Sequence, residues 1–372
     1  MITRFISLLL STALLVIPIL VQNAANKKTD KAEQITRIEQ LEEDYQNGRI
    51  EPSDMASFFD GDLEAEIENG LKFNQLSYVA THNSYQKDET EAAKKVFRNL
   101  SKITFGLVNK EKALFESETL TQQFNKGILS VEIDVEPVVK KGVTSFVCMH
   151  MPVWSAGTTC YDFALAMKEV YLWSENNPNH LPITIIIEPK KWALPVNGMK
   201  VFNVDYANDL DAIIRDTLKE KLFTPADMLR DYESFRDMRL NDDWCKVSDL
   251  LGKVMILLHP CDATTDYIAQ DYSVKSQAMF PALTYGNKND SFASFLLIND
   301  PIQAYDTSEE IIDNLKFVVR TRADQYLKVN AEEREKAILS GAHIVSTDYP
   351  VKDVPTDDIF SFNNGKNIKK NK

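Results

Sequence analysis

The sequence predicts an α/β chain built around a closed (β/α)8, or TIM, barrel, on three observations. Short apolar runs alternate with longer stretches of helical periodicity. Eight such runs are found between residues 71 and 352. Several of them end in histidine, amide or carboxylate side chains, and a strand end opening into a loop is where an enzyme on a parallel sheet keeps its chemistry. A doubly wound open sheet is the alternative.

The expected strands are 75–80, 128–135, 144–149, 183–188, 254–259, 294–298, 316–320 and 343–347. Helices are expected between several of them. Phe163–Glu175 places Leu165, Met167, Val170 and Tyr171 on one side, and Asn208–Leu222 does the same with Leu210, Ile213, Ile214 and Leu218. Glu309–Leu315 and Ala331–Leu339 continue the series. Asp162 reads as a helix cap, and Trp173 and Trp192 read as packing.

Ahead of the barrel, residues 26–70 form a polar extension. Ile35, Ile38, Leu41 and Tyr45 recur there at near-helical spacing, so it reads as a short helical arm. Residues 1–25 carry Arg4, then the apolar run Ile6–Val21, then Ala24-Ala25. That order describes a secretory signal peptide, which implies a secreted or periplasmic protein; an uncleaved membrane anchor is the alternative. The stretch 353–372 ends in NNGKNIKKNK and reads as a disordered polar tail.

Export makes the four cysteines candidates for two disulfides. Pairing sequence neighbours, Cys148 with Cys160 and Cys245 with Cys261, is the simplest arrangement. No C-x-x-C pair is present to suggest zinc. The net charge of −13 argues against a nucleic-acid footprint and against attraction to anionic lipid by a general positive field. A local basic pocket remains compatible with it.

The strand ends carry the chemistry. The first gives His82 and Asn83, from a chain with five histidines. The second places Ser130, Glu132 and Asp134 on one face by its period of two. The third ends at His150, the fourth at Glu188 with Lys190, the seventh at Arg320 and Arg322, and the eighth at Asp348. Two carboxylates on one buried strand face repel unless a cation lies between them. Asn83, Glu132, Asp134 and Glu188 offer only oxygen, which selects Ca2+ or Mg2+ over zinc, and export favours Ca2+. His82 and His150 suit acid–base work on an ester, and Lys190, Arg320 and Arg322 suit an anionic substrate such as a phosphate.

These stretches resemble the calcium-dependent phosphatidylinositol-specific phospholipases C of secreted bacterial type. THNSY (81–85), VEIDV (131–135), the MH of 149–150, TTCYDF (158–163), WSENNPNHLPITIIIEPK (173–190), FTPADML (223–229), RTRAD (320–324) and SGAHIVSTDYP (340–350) stand in that family's order over residues 71–352. The resemblance implies catalytic histidines at His82 and His150, and calcium ligands at Asn83, Glu132, Asp134 and Glu188. It implies an inositol phospholipid, or its soluble head group, as partner; a monomer is the expected oligomeric state. In the reaction it implies, the inositol 2-hydroxyl attacks phosphorus and a cyclic inositol phosphate forms first. Two places depart from the family pattern: the stretch MPVWSAG after His150, and Glu136-Pro137 after VEIDV, where an aromatic is common.

Duller readings stand beside these. His180, His259 and His343 read as structural. Glu132 and Asp134 are alternatively held by Arg320 and Arg322 in a structural network, and Lys190 alternatively extends to solvent. A glycerophosphodiester phosphodiesterase, whose family opens with His-Arg rather than His-Asn, is the rival enzyme. An inactive inositol-lipid-binding barrel is the rival from another class.

Overall fold

The computed structural model describes residues 27–87, 116–150, 157–190, 198–325, 328–348 and 358–371. Its strands in chain order are β1 (Phe59–Asp60), β2 (Leu76–Thr81), β3 (Ser130–Lys140), β4 (Val143–Val147), β5 (Ile183–Pro189), β6 (Val254–Leu258), β7 (Phe280–Leu283), β8 (Phe295–Leu297), β9 (Val318–Arg322), β10 (Ile344–Thr347) and β11 (Ile368–Lys370). Eight of these, β2, β3 and β5 to β10, pair in parallel, and β10 returns to β2 to close the ring. The fold is the expected (β/α)8 barrel.

Its strands read as they do because both faces are covered. β5 is ITIIIEP, with Ile183, Ile185 and Ile187 fully buried, as a parallel strand under helices requires. β3 alternates strictly instead. Ser130, Glu132, Asp134 and Glu136 take one face and Val131, Ile133 and Val135 the other. Its register sets Ser130 opposite Thr184 and Asp134 opposite Glu188. The hydroxyls of Thr184 and Ser130 bond at 2.7 Å below the carboxylates.

Three expectations are corrected. The run at 144–149 is not a barrel strand. It is β4, antiparallel to the far end of β3 across the two-residue turn Lys141-Gly142. Both turn residues have positive φ, 51° and 78°, the turn that suits a twisted hairpin. The missing barrel strand is β7, whose proline hides it from a strand reading. The third correction is at the carboxyl end, which is not a loose tail over 358–371. β11 pairs antiparallel with Leu76–Tyr78, below the point where β3 joins β2. Ile368 is fully buried there, and Asn371 bonds Ser77 and the Gly341 carbonyl.

The arm is helical over 27–46, as expected, and Ile38, Leu41 and Tyr45 turn toward the barrel. Ile35 is 36% exposed, whereas Asp30, Gln34 and Ile38 are buried. The contacts are mostly polar. Gln34 exchanges two hydrogen bonds with the Asp162 backbone. Arg37 meets the buried Glu169 at 2.8 Å and the Thr159 carbonyl at 2.7 Å. Asp162 caps helix Phe163–Asn176, as expected.

All four cysteines are free thiols, so neither Cys148–Cys160 nor Cys245–Cys261 is a disulfide. Burial raises the Cys148 and Cys160 thiols, and each fills the core as a small apolar group. Among the described residues no helix is long and apolar enough to cross a membrane. The apolar run Ile6–Val21 and Trp192 lie outside them.

Candidate active site

The loop after β2 is pinned to β3 by one serine. The Ser84 amide donates to the Glu132 carbonyl, and the Glu132 amide donates to Ser84 Oγ at 2.8 Å. Thr81 Oγ1 and Gln123 hold the same turn. Asn83 sits between with φ of 48°, a left-handed conformation that asparagine tolerates better than most residues. The side chains of Asn83, Glu132 and Asp134 are thereby buried together at the mouth.

Ligand atoms of Glu132, Asp134 and Glu188 lie within 4.8 Å of one another. Glu132 Oε2 accepts from Arg320 Nη2 at 2.6 Å. Among the described residues, Glu132 Oε1, Asn83 Oδ1 and both oxygens of Asp134 have no hydrogen-bond partner. Lys190 Nζ stands 2.7 Å from Asp134 Oδ2 and 3.1 Å from Glu188 Oε1, an ion pair at contact distance without hydrogen-bond geometry at Asp134. Buried acceptors are seldom left orphaned. Lys190 meets Asp134 Oδ2, which leaves Glu132 Oε1, Asn83 Oδ1 and Asp134 Oδ1 without a hydrogen bond; all are oxygen, a donor set that suits a hard divalent cation such as Ca2+.

The electrostatics agree. Burial pushes the Asp134 carboxyl up to about 8; Lys190 pulls it down, and the charges of Glu188 and Glu132 push it up. Burial also acts on Glu132, but Arg320, His82, Arg322 and His259 together hold it below the usual carboxylate range. Buried Lys190 is raised by Asp134 and Glu188.

His82 Nδ1 lies 2.8 Å from Asp348 Oδ1, and its Nε2 lies 3.5 Å from Glu132 Oε1. Asp348 is fixed in turn by its amide, which donates to Asp324 Oδ1 at 2.7 Å, and Asp324 is held by Thr347 and Arg334. His150 reaches the site by the returning limb of the β3–β4 hairpin. Burial lowers it to about 4, with the charges of Lys190 and His82 adding to the effect. Its Nδ1 is buried without a partner.

Three of the four expected ligand residues, Glu132, Asp134 and Glu188, meet at the mouth, with Asn83 in the loop bonded to Glu132 through Ser84, but two of the three expected phosphate contacts do not reach it freely. Arg320 is fully buried under Glu132 and also bonds Asn299. Lys190 is spent on Asp134 and Glu188 rather than reaching solvent or a phosphate. Both serve as counter-ions for buried carboxylates, which need them. Arg322 is the remaining cation of the three, partly exposed and with Nε unpartnered.

Sequence reasoning missed three residues. Asp348 was visible at a strand end, but its contact with His82 spans 266 positions. His259, read as structural, follows β6 and lies close enough to Glu188 and Glu132 for their charges to offset part of the lowering that burial causes. Glu136 continues the inward face of β3, buried with both oxygens unpartnered. Burial raises it to about 7 against the pull of Lys190 and Lys27. The period of two on β3 was the signal for it. His180 and His343 are structural as expected: the first bonds Ser174 and the Leu181 carbonyl, the second the Val319 amide and the Asn74 carbonyl.

A mouth of this composition defines a cation-dependent enzyme on a parallel barrel. A family model described as phosphoinositide phospholipase C, Ca2+-dependent, matches residues 136–371, more than half of the chain. The chain belongs to that family, whose members are Ca2+-dependent enzymes acting on phosphoinositides. The matched span includes His150 and Glu188 and begins just after Asp134. Among solved structures, a calcium-dependent phosphoinositol-specific phospholipase C from a Gram-negative Pseudomonas species, in a myoinositol complex, is 16% identical with a TM-score of 0.56, covering 86% of this chain and 100% of that one. A Ca2+-dependent phosphatidylinositol-specific phospholipase C from Streptomyces antibioticus is 15% identical with a TM-score of 0.53, covering 75% and 95%. Both share the fold. A comparison with curated proteins finds no match.

Proposed function

We propose that Asn83, Glu132, Asp134 and Glu188 hold the calcium ion, and that His82 and His150 move protons, in cleaving an inositol phospholipid on the glycerol side of phosphorus. The observation that carries this reading is the set of orphaned oxygens on Asn83, Glu132 and Asp134 at one buried spot. When bound there, calcium supplies charge that acidifies a nearby hydroxyl and offsets charge growing on the phosphate.

The chain's own groups have separable tasks. Glu132, tied to Arg320, is a poor proton acceptor, which leaves Glu188, 25% exposed, to take the proton of the inositol 2-hydroxyl. That hydroxyl forms the new bond to phosphorus, and the bond from phosphorus to the glycerol oxygen breaks. His150 gives the departing oxygen its proton. A phosphate beside His150 favours the imidazolium that burial alone disfavours. His82, oriented through Nδ1 by Asp348, presents Nε2 to the reacting phosphate. Arg322 offers its guanidinium to the anionic head group.

Export is supported by the basic start, apolar run and small residues of positions 1–25, and a mature amino terminus just after Ala25 would bear it out.

The reaction is tested through its nucleophile. With phosphatidylinositol, phosphorus NMR should show a cyclic inositol phosphate as the first product. A 2-deoxy analogue should bind and not react, and phosphatidylcholine should not turn over. Turnover of the 2-deoxy analogue, or of choline lipid at a comparable rate, would replace this reading with a glycerophosphodiesterase one.

A further inference from the structure

We propose that a lysine-lined apolar pocket between the arm helix and the β3–β4 hairpin is the surface by which this enzyme docks on an anionic bilayer. The inference rests on the lipid substrate only for its purpose; its observations are separate from the metal site.

Position comes first. β3 carries Glu132 and Asp134 and then runs on past the mouth to Lys140. Six further residues of strand span about 20 Å. The hairpin therefore stands out on the face through which a lipid head group must enter. The arm helix and the segment Gly198–Val201 flank it. The Val139 amide donates to the Gly198 carbonyl and the Lys200 amide to the Pro137 carbonyl, both at 2.9 Å.

Chemistry comes second. A cavity of about 460 Å3 lies between these elements, lined by Ile35, Val138, Val147 and Met199 and by Lys27, Lys28, Lys31 and Lys140. Beside it Val143 is 68% and Val201 64% exposed. Among the described residues only Lys31 of these lysines has an ion pair, with Asp162 at 2.8 Å. Lys28, Lys140, Lys141 and Lys200 are exposed without one, and Lys27 faces Glu136 only at a distance. Burial and the Lys140 charge lower the Lys27 ammonium, and the Glu136 charge offsets part of that.

The chain has a net charge of −13, so long-range attraction to an anionic membrane is not available to it. A local group of unpaired lysines beside exposed valines meets both layers of a bilayer interface: phosphates for the ammonium groups, and the acyl boundary for the valines. A folded protein partner would need acids matching lysines drawn from three separate elements. A bilayer of anionic lipid presents phosphates at any spacing.

The test compares the wild-type chain with Lys28→Glu/Lys140→Glu/Lys200→Glu, both carrying the same amino terminus. These positions are exposed and outside the proposed catalytic machinery. Sedimentation with phosphatidylcholine vesicles containing phosphatidylglycerol, which has the charge but no inositol, should show wild-type binding that weakens with salt. The variant should bind roughly a hundredfold more weakly, at about fivefold per lysine. Its turnover of soluble glycerophosphoinositol should match wild type, while its turnover of vesicle phosphatidylinositol falls. Equal binding of the two proteins to the vesicles would overturn the proposal, as would an equal loss on the soluble substrate. Displacement by free glycerol phosphate at the concentration of the vesicle phosphates would also overturn it, by making the pocket a phosphate site. Lysine-dependent vesicle binding with no soluble turnover would instead leave the docking surface standing and sink the proposed reaction.

Discussion

Asp134 shows most clearly what a single residue does in this mouth. Burial pushes its carboxyl up to about 8, from an ordinary value of 3.8. A carboxyl raised on folding adds stability below its ordinary pKa, and that stability is lost as pH rises toward the folded value. Calcium takes the place of that proton, so calcium affinity should rise with pH by up to about tenfold per unit between pH 6 and 8. The difference in Tm between calcium-loaded and EGTA-treated protein should therefore widen over that range, and a constant difference would count against Asp134 as a ligand. The histidines make a second residue-scale prediction. His82→Ala and His150→Ala should each lose on the order of 10² to 10⁴ in turnover while folding normally. His343→Ala, which breaks bonds to Val319 and Asn74 far from the mouth, should lose stability and little turnover. A turnover defect at His343 as large as that at His150 would show the assignment to be wrong. The cluster of Glu132, Asp134 and Glu188 was legible because a period of two and a carboxylate breaking an apolar strand are local properties. The roles of Arg320, Lys190 and Asp348 were not, because which charges neutralise one another depends on strands far apart in the chain.

Among the elements, the hairpin and the last strand do the positioning. The run 144–149 has the composition of a barrel strand, and nothing in those residues alone says whether it pairs forwards or backwards. The turn residues Lys141-Gly142 carried the answer: a two-residue loop joins only antiparallel strands. β7 escaped because FPAL is short and contains proline. β11 escaped because IKK, inside a polar stretch, gains its strand character from the open edge of β2 that it covers. That edge makes β11 part of the barrel's closure. Ile368→Ala should therefore cost about 2–5 kcal/mol, as for a fully buried isoleucine. Chemical denaturation reads that loss, and a change below about 0.5 kcal/mol would show that the terminal strand does not help hold the ring. The arm teaches the same lesson. Its apolar spacing was read correctly as helical, yet it docks through Gln34 and Arg37, whose partners at Asp162 and Glu169 no periodicity in the arm identifies.

At the scale of the whole molecule, an acidic chain surrounds a mouth where three carboxylates converge. Buried charge of one sign is stable only with a counter-charge. Arg320 and Lys190 supply part of it, and the orphaned oxygens show that they do not supply all of it. The free cysteines agree with a barrel large enough to be stable through its hydrophobic core, with no need of a disulfide framework. The account's central claim is thus that the fold is completed, and its chemistry enabled, by one calcium ion on Asn83, Glu132, Asp134 and Glu188. The most direct test is calcium titration of EGTA-stripped wild type and Asp134→Asn, following hydrolysis of phosphatidylinositol. Wild type should be inactive when stripped, recover fully with calcium and not with zinc, and saturate as one site. Asp134→Asn should stay folded and need far more calcium for any activity. Full hydrolysis in EGTA, or an unchanged calcium requirement in Asp134→Asn, would contradict the account.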